Sequence, residues 1–130
     1  MGNVTEVAVV VRRGDTYCLT YSGSHFESPD YAVGYATSGS PLGPWKKYEL
    51  NPIMKSTAYT HGTAHHCLTI SPDDSEMIIV YHRDHTLTET EPRQMAIGRI
   101  RFVAQETGPD VIEVWGPTFS PQPVPSTSMR

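Results

Sequence analysis

Runs of β-branched and aromatic residues, each closed by turn residues, follow one another along this chain, and no window sustains the i, i+3, i+4, i+7 apolar spacing of a helix face. The sharpest instance is Val7–Arg13, the turn pair Gly14-Asp15, and the return run Thr16–Ser22, with Glu6 at its mouth. Six further runs read as strands: Ala32–Ser38, Trp45–Tyr48, His65–Ile70, Met77–His82, Gln94–Phe102 and Val111–Trp115. Pro72-Asp73-Asp74 and Ser40-Pro41-Leu42-Gly43-Pro44 supply two more connections. The predicted fold class is therefore all-β and antiparallel.

The strands divide into two groups of four. Each holds a hairpin, a longer loop, a third strand and a short fourth strand carrying Trp45 or Trp115. An offset of roughly 60 to 70 residues between the groups suits a four-stranded propeller blade with a decorated loop. The reading assigns residues 1–116 to two blades, about 4–50 and 60–116, and 117–130 to an irregular or loosely attached tail containing Pro117, Pro121, Pro123 and Pro125. Tyr21, Val33, Tyr35, Ile79 and Tyr81 are the expected core. Two blades leave sheet edges and apolar faces to be covered, so the chain is expected either to lack upstream blades or to self-associate into a closed ring.

At 130 residues the chain can bury a modest single-domain core. A net charge of −4, from 10 basic and 14 acidic residues without long runs, leaves no basic patch for nucleic acid. No apolar stretch approaches the ~18 residues of a membrane span, and no charged-then-apolar segment opens the chain to show export, so its compartment stays open. Cys18 and Cys67 read as two buried free thiols, with a disulfide between them as the alternative. Histidines are numerous (His61, His65, His66, His82, His85), but no Cys or Glu spacing supports a tetrahedral zinc set.

Several of these segments together resemble family 43 of the glycoside hydrolases. The Glu6–Ser22 hairpin is similar to the family's general-acid hairpin, which opens Glu-Gly-Pro and returns on Tyr-Tyr-Leu-x-Tyr-Ser. Tyr31–Ser38, Ser40–Trp45 and Asn51-Pro52-Ile53 resemble the rest of that blade. Gly62-Thr63-Ala64-His65-His66-Cys67 is similar to Gly-Thr-Gly-His-His-Ser, Met77–His82 to Trp-Tyr-x-Val-Tyr-His, and Arg93–Phe102 to Arg-x-Leu-x-Ile-Asp-Arg-x-x-Phe. The likeness spans roughly residues 3 to 103. It departs at Val7-Ala8 for Gly-Pro, Ala64 for Gly, Cys67 for Ser and Gly98 for Asp.

The resemblance implies a five-bladed propeller with Glu6 on the fourth blade and the His65 segment opening the fifth. It also implies inverting hydrolysis of xylosyl or arabinofuranosyl linkages, in which an acid protonates the leaving oxygen while a carboxylate ~6.5–9.5 Å away activates water. Glu6 matches the acid, and its apolar neighbours Val7, Ala8 and Val9 predict partial desolvation that favours the protonated form. The base and a third acidic residue lie on blades with no counterpart here, and Asp15, Asp30, Asp73, Asp74, Asp84 and Asp110 do not stand in the base motif. His65 matches an axial histidine that binds calcium directly or through water. Direct substrate contact and a hydrogen-bonded core role remain open for it, since calcium prefers oxygen ligands. His66, on the opposite face, reads as structural. His25-Phe26 could wall a sugar ring or pack on a neighbouring blade. Arg93 resembles an arginine of the sugar pocket, and an exposed strand-start arginine would look the same. The expected function is glycoside hydrolysis of pentose-containing oligo- or polysaccharides, with a non-catalytic carbohydrate-binding or scaffold role and a self-associating truncated product as alternatives.

Overall fold

A computed structural model describes residues 4–127. Its eight strands are β1 (Thr5–Arg13), β2 (Thr16–Gly23), β3 (Ala32–Ser38), β4 (Lys46–Lys47), β5 (Ala64–Ile70), β6 (Met77–Arg83), β7 (Gln94–Val103) and β8 (Val111–Trp115). They pair antiparallel in chain order as two sheets, β1-β2-β3-β4 and β5-β6-β7-β8. The β4 strand is shorter than expected and leaves out Trp45. Gly43 takes φ 87° and Pro44 has no N–H to offer a ladder, so pairing begins only at Thr37↔Lys46.

The first strand of each sheet carries the same irregularity. On β1 the register jumps between Glu6↔Ser22 and Val9↔Thr20, so Val7 and Ala8 oppose the single residue Tyr21. On β5 it jumps between Ala64↔His82 and Cys67↔Val80, so His65 and His66 oppose Tyr81. These are β-bulges, which bend a strand and re-aim the side chains beside them. Each contains one residue in the left-handed region, Val7 at φ 55° and His65 at φ 50°.

The core lies between the sheets. One cluster joins Tyr31, Val33 and Met54 to Ala64, Ile79 and Tyr81, and a second joins Cys18 and Tyr35 to Ile100 and Ile112. All five expected core residues are buried. Tyr21, however, alternates with Thr20 and Ser22, whose side chains bond across the seam, so it faces the far side of its sheet. There its hydroxyl accepts from Asn51 Nδ2 at 3.4 Å.

Two expectations are corrected. Both cysteines are free, but only Cys18 is buried, because alternation along β5 turns Cys67 outward. The tail is irregular yet firmly held. Thr118 N–H donates to Tyr81 OH at 2.7 Å, Arg99 Nη2 to Pro123 O at 2.8 Å, and Ser126 to Glu76 and Asp73 at 2.8 and 2.6 Å. Prolines keep such a segment extended, and side chains on the sheet satisfy the groups that a ladder would otherwise pair. Residues 128–130 lie outside the described ones.

Candidate active site

Glu6 stands at the last β1 pairing before the bulge, opposite Ser22. It is exposed, so the desolvation expected from its apolar neighbours is not realised: Val7 and Val9 are half-buried while Glu6 and Ala8 point to solvent. Its carboxylate is nevertheless held, because Tyr31 OH donates to Oε1 at 2.9 Å. Tyr31 is wholly buried. Burial first, then the hydrogen bond to Glu6 and its charge, push the phenol well above its ordinary range. Tyr31 therefore stays a proton-bearing donor.

From Tyr31 the site extends through aromatic and cationic contacts. The Tyr31 ring lies 5.8 Å from that of His82, and His82 lies 5.7 Å from His65. Arg93 Nη1 sits 3.3 Å from His82 Nε2, which fixes that nitrogen as acceptor when the ring is neutral and puts its proton on Nδ1. Burial, then the charges of Arg93 and His65, lower the His82 pKa, so the neutral ring is favoured. Arg93 is held by Glu91 at 3.0 Å and covers the Phe26 ring at 5.5 Å, and Phe26 stacks on His25 at 4.7 Å. The structure thus links Glu6, His65, Arg93, Phe26 and His25 in one contiguous surface.

Three residues that tie that surface together, Tyr31 beneath it with His82 and Glu91, were missed from the sequence. Tyr31 reads as a core aromatic, which it also is. His82 follows Tyr81 on β6, and strand alternation was the signal that it leaves the Tyr81 face. Nothing local marks Glu91.

His66 has a different role. It is 1 % exposed, with Nε2 2.7 Å from Thr20 Oγ1 and Nδ1 3.4 Å from Ser22 Oγ. Thr20 donates its own proton to Val9 O at 3.3 Å, so His66 Nε2–H donates to Thr20 and Nδ1 accepts from Ser22. Ser22 Oγ also accepts from His65 N–H at 2.8 Å. Burial, and secondarily the neighbouring His65, lower the His66 pKa to about 4. This buried neutral network crosses the seam directly behind the site.

The departures from the resemblance have physical readings. The left-handed backbone falls on Val7, where the family pattern has Gly, and Ala64 is not among the residues of positive φ. Gly62, at φ 64°, is packed against the Asp84 carboxylate where a Cβ would stand, and burial raises the Asp84 pKa. A Cβ on Gly98 would lie 2.5 Å from Trp115 O, so this backbone has no room for the family's aspartate. Among the described residues no hydrogen bond or ion pair joins Glu6 to a second carboxylate. Nor do three or more His, Cys, Asp or Glu side chains gather as a metal-binding group. The residues present therefore do not by themselves fit a calcium site at His65.

Two stacked four-stranded antiparallel sheets, each opening on a bulged strand, are blades of the propeller class. The model of glycosyl hydrolases family 43 matches residues 1–107, and the chain belongs to this family. A thermostable family-43 glycoside hydrolase is 36 % identical with a TM-score of 0.84, covering 95 % of this chain and 39 % of its own. An endo-1,4-beta-xylanase from Bacteroides thetaiotaomicron is 31 % identical with a TM-score of 0.81, covering 91 % and 40 %. An alpha-L-arabinofuranosidase from Lactobacillus brevis is 25 % identical with a TM-score of 0.64, covering 97 % and 39 %. The chain thus spans about two fifths of the length of these solved neighbours. No curated protein gives a significant match.

Proposed function

We propose that this chain supplies the general-acid side of an inverting glycosidase site for xylo- or arabino-oligosaccharides, with Glu6 as the acid. The observation that carries the reading is the placement of Glu6: open to solvent, yet aimed by a buried tyrosine hydroxyl 2.9 Å away. An acid must reach the glycosidic oxygen, and its carboxyl must be held in one orientation while it transfers the proton. His25, Phe26 and Arg93 form the adjoining wall. An aromatic face suits the C–H side of a sugar ring, and a guanidinium donates to its hydroxyls. The endo-xylanase and arabinofuranosidase names of the neighbours support a pentose-containing substrate.

The catalytic base would come from outside the described residues, either from further blades or from another copy of the chain in a closed ring. Calcium at the axis would draw on His65 from this chain and would need oxygen ligands beside it. A non-catalytic carbohydrate-binding role is favoured by one observation, the aromatic and cationic wall of His25, Phe26 and Arg93, which could hold a sugar with or without a base. Hydrolysis of aryl xylosides and arabinofuranosides separates the readings. Glu6→Gln should abolish most turnover, while Asp73→Asn and Asp74→Asn, in the β5–β6 turn, should leave it unchanged. Unaltered turnover in Glu6→Gln rules out the assignment. Oligosaccharide binding without turnover in the unsubstituted chain selects the non-catalytic role. The solution mass decides whether copies close a ring.

A further inference from the structure

A second aromatic surface lies away from Glu6. Tyr59, in the connection before β5, and Phe119, just after β8, are 70 % and 66 % exposed, with ring centroids 5.8 Å apart and planes inclined by 50°. Other exposed aromatics have a cationic cover: Trp115 lies under Arg101 at 4.5 Å and Phe26 under Arg93 at 5.5 Å. Among the described residues no cation covers Tyr59 or Phe119, which pack on each other.

Their backbones are fixed. Thr57 N–H donates to Thr60 O at 2.8 Å and Tyr59 N–H to Thr57 Oγ1 at 3.2 Å. Next to Phe119, Thr118 is anchored to Tyr81 and, through its hydroxyl, to Ile97 O at 2.8 Å, and Arg83 Nη1 reaches Phe119 O at 3.5 Å. Beside Phe119 opens a cleft of about 310 Å³ lined by Arg83, Met95, Pro121 and Gln122 among others. Its lining mixes apolar Met95, Ile97 and Pro121 with polar Arg83, Ser120 and Gln122. Gln122 donates its Nε2 to Ser120 O at 3.0 Å, leaving its amide oxygen to accept.

The cleft and the candidate site lie near one end of β6 and β7: Arg83 Nη2 donates to Gln94 Oε1 at 2.9 Å, one residue along each segment from the His82–Arg93 contact. Tyr59 precedes the start of β5 and Phe119 follows the end of β8, so antiparallel alternation puts both at the end of the sheets that carries Glu6 and His65.

We propose that Tyr59 and Phe119 form a stacking platform for a neutral sugar ring of the same pentose-containing chain whose linkage faces Glu6. The inference rests on the carbohydrate reading above. A sugar ring offers an apolar C–H face and a hydroxyl edge, matching a tilted aromatic pair beside a cleft of mixed apolar and polar lining. Rings held by a pinned backbone lose little freedom on binding.

The test titrates the full chain with xylobiose, xylohexaose and arabinohexaose and follows aromatic and amide NMR signals. The proposal expects a hexaose to shift both the Phe26–Arg93 region and Tyr59–Phe119. Tyr59→Ala with Phe119→Ala should weaken hexaose binding roughly tenfold and leave disaccharide binding nearly unchanged. Tyr59→Trp should restore affinity, which a purely structural defect would not allow. Shifts at Phe26 and Arg93 with none at Tyr59 and Phe119 overturn the platform and leave the carbohydrate reading standing. No shift anywhere with any of the three sugars overturns both.

Discussion

The two bulges use one backbone device for different ends. In β1 the bulge follows Glu6, leaves the carboxylate in solvent and puts Val7 in the left-handed region. In β5 the position that pairs like Glu6 is Ala64, which is fully buried, and the two residues set against one are His65 and His66. His65 turns outward toward the site, and His66 turns into the seam. The same two-against-one register thus presents chemistry from one sheet and a buried polar lock from the other. Residue type decides which, since the geometry is shared.

That division can be broken at its strongest point first. Glu6 is exposed and, among the described residues, its carboxylate is bonded only by Tyr31, so Glu6→Gln should leave the thermal midpoint almost unchanged and, on the proposed acid role, lower turnover about 10²–10⁴-fold, the usual weight of a general acid. Tyr35 is its opposite. It is 2 % exposed, shared by the second core cluster, and has its hydroxyl 3.5 Å from Ile112 N of the other sheet. Tyr35→Ala should cost ~3–5 kcal/mol, comparable with the whole stability of a small domain. Aggregation or loss of cooperative melting is the expected outcome, and a soluble variant that melts cooperatively would show that the seam is not the core.

The second sheet's bulge predicts a pH dependence that the first should not share. The His66 pKa is about 4 in the folded chain, below the ordinary value of 6.5, because burial penalises its charge. Between these values the unfolded chain binds the proton more readily, so stability is complete above pH 6.5 and falls as pH drops toward 4. The full loss amounts to ~3 kcal/mol. Urea unfolding at pH 7, 5.5 and 4 should show it. His66→Gln should lower stability at pH 7 and flatten the profile relative to the parent chain. Equal slopes for the two proteins would place the acid sensitivity elsewhere.

Much of the fold was legible because strand runs and turn residues are local signals. Seven of the eight strands fall on runs rich in β-branched and aromatic residues, while β4 is only Lys46–Lys47. The bulges were not legible, because a bulge is a property of register between two strands, and Val7-Ala8 shows no glycine to mark it. For the candidate site, resemblance pointed to Glu6, His65 and Arg93, but not to what holds them. Tyr31 reaches Glu6 across 25 positions and Ser22 reaches His65 across 43. The first contact arises once β1, β2 and β3 assemble into one sheet, the second only once the two sheets stack, and neither separation is a local signal. The grip on the tail escaped for the same reason: Ser126 finds Asp73 across 53 positions.

The smallest effect tests the backbone of the comparison itself. A β-branched residue in the left-handed region is a genuine outlier, and the conformation costs ~1–2 kcal/mol for an ordinary L-residue. Val7→Gly removes that strain but adds about 0.5–1 kcal/mol of freedom to the unfolded chain. The balance should raise stability by up to ~1 kcal/mol. Histidine tolerates the region several-fold better, and the His65 N–H is already bonded to Ser22 Oγ at 2.8 Å. His65→Gly therefore relieves less strain against the same entropic loss, and should be neutral or slightly destabilising. The expected order of urea midpoints is Val7→Gly, then the parent chain, then His65→Gly. A Val7→Gly midpoint at or below the parent would mean that the β1 bulge holds Val7 without strain, and the two bulges would then differ only in the side chains they present.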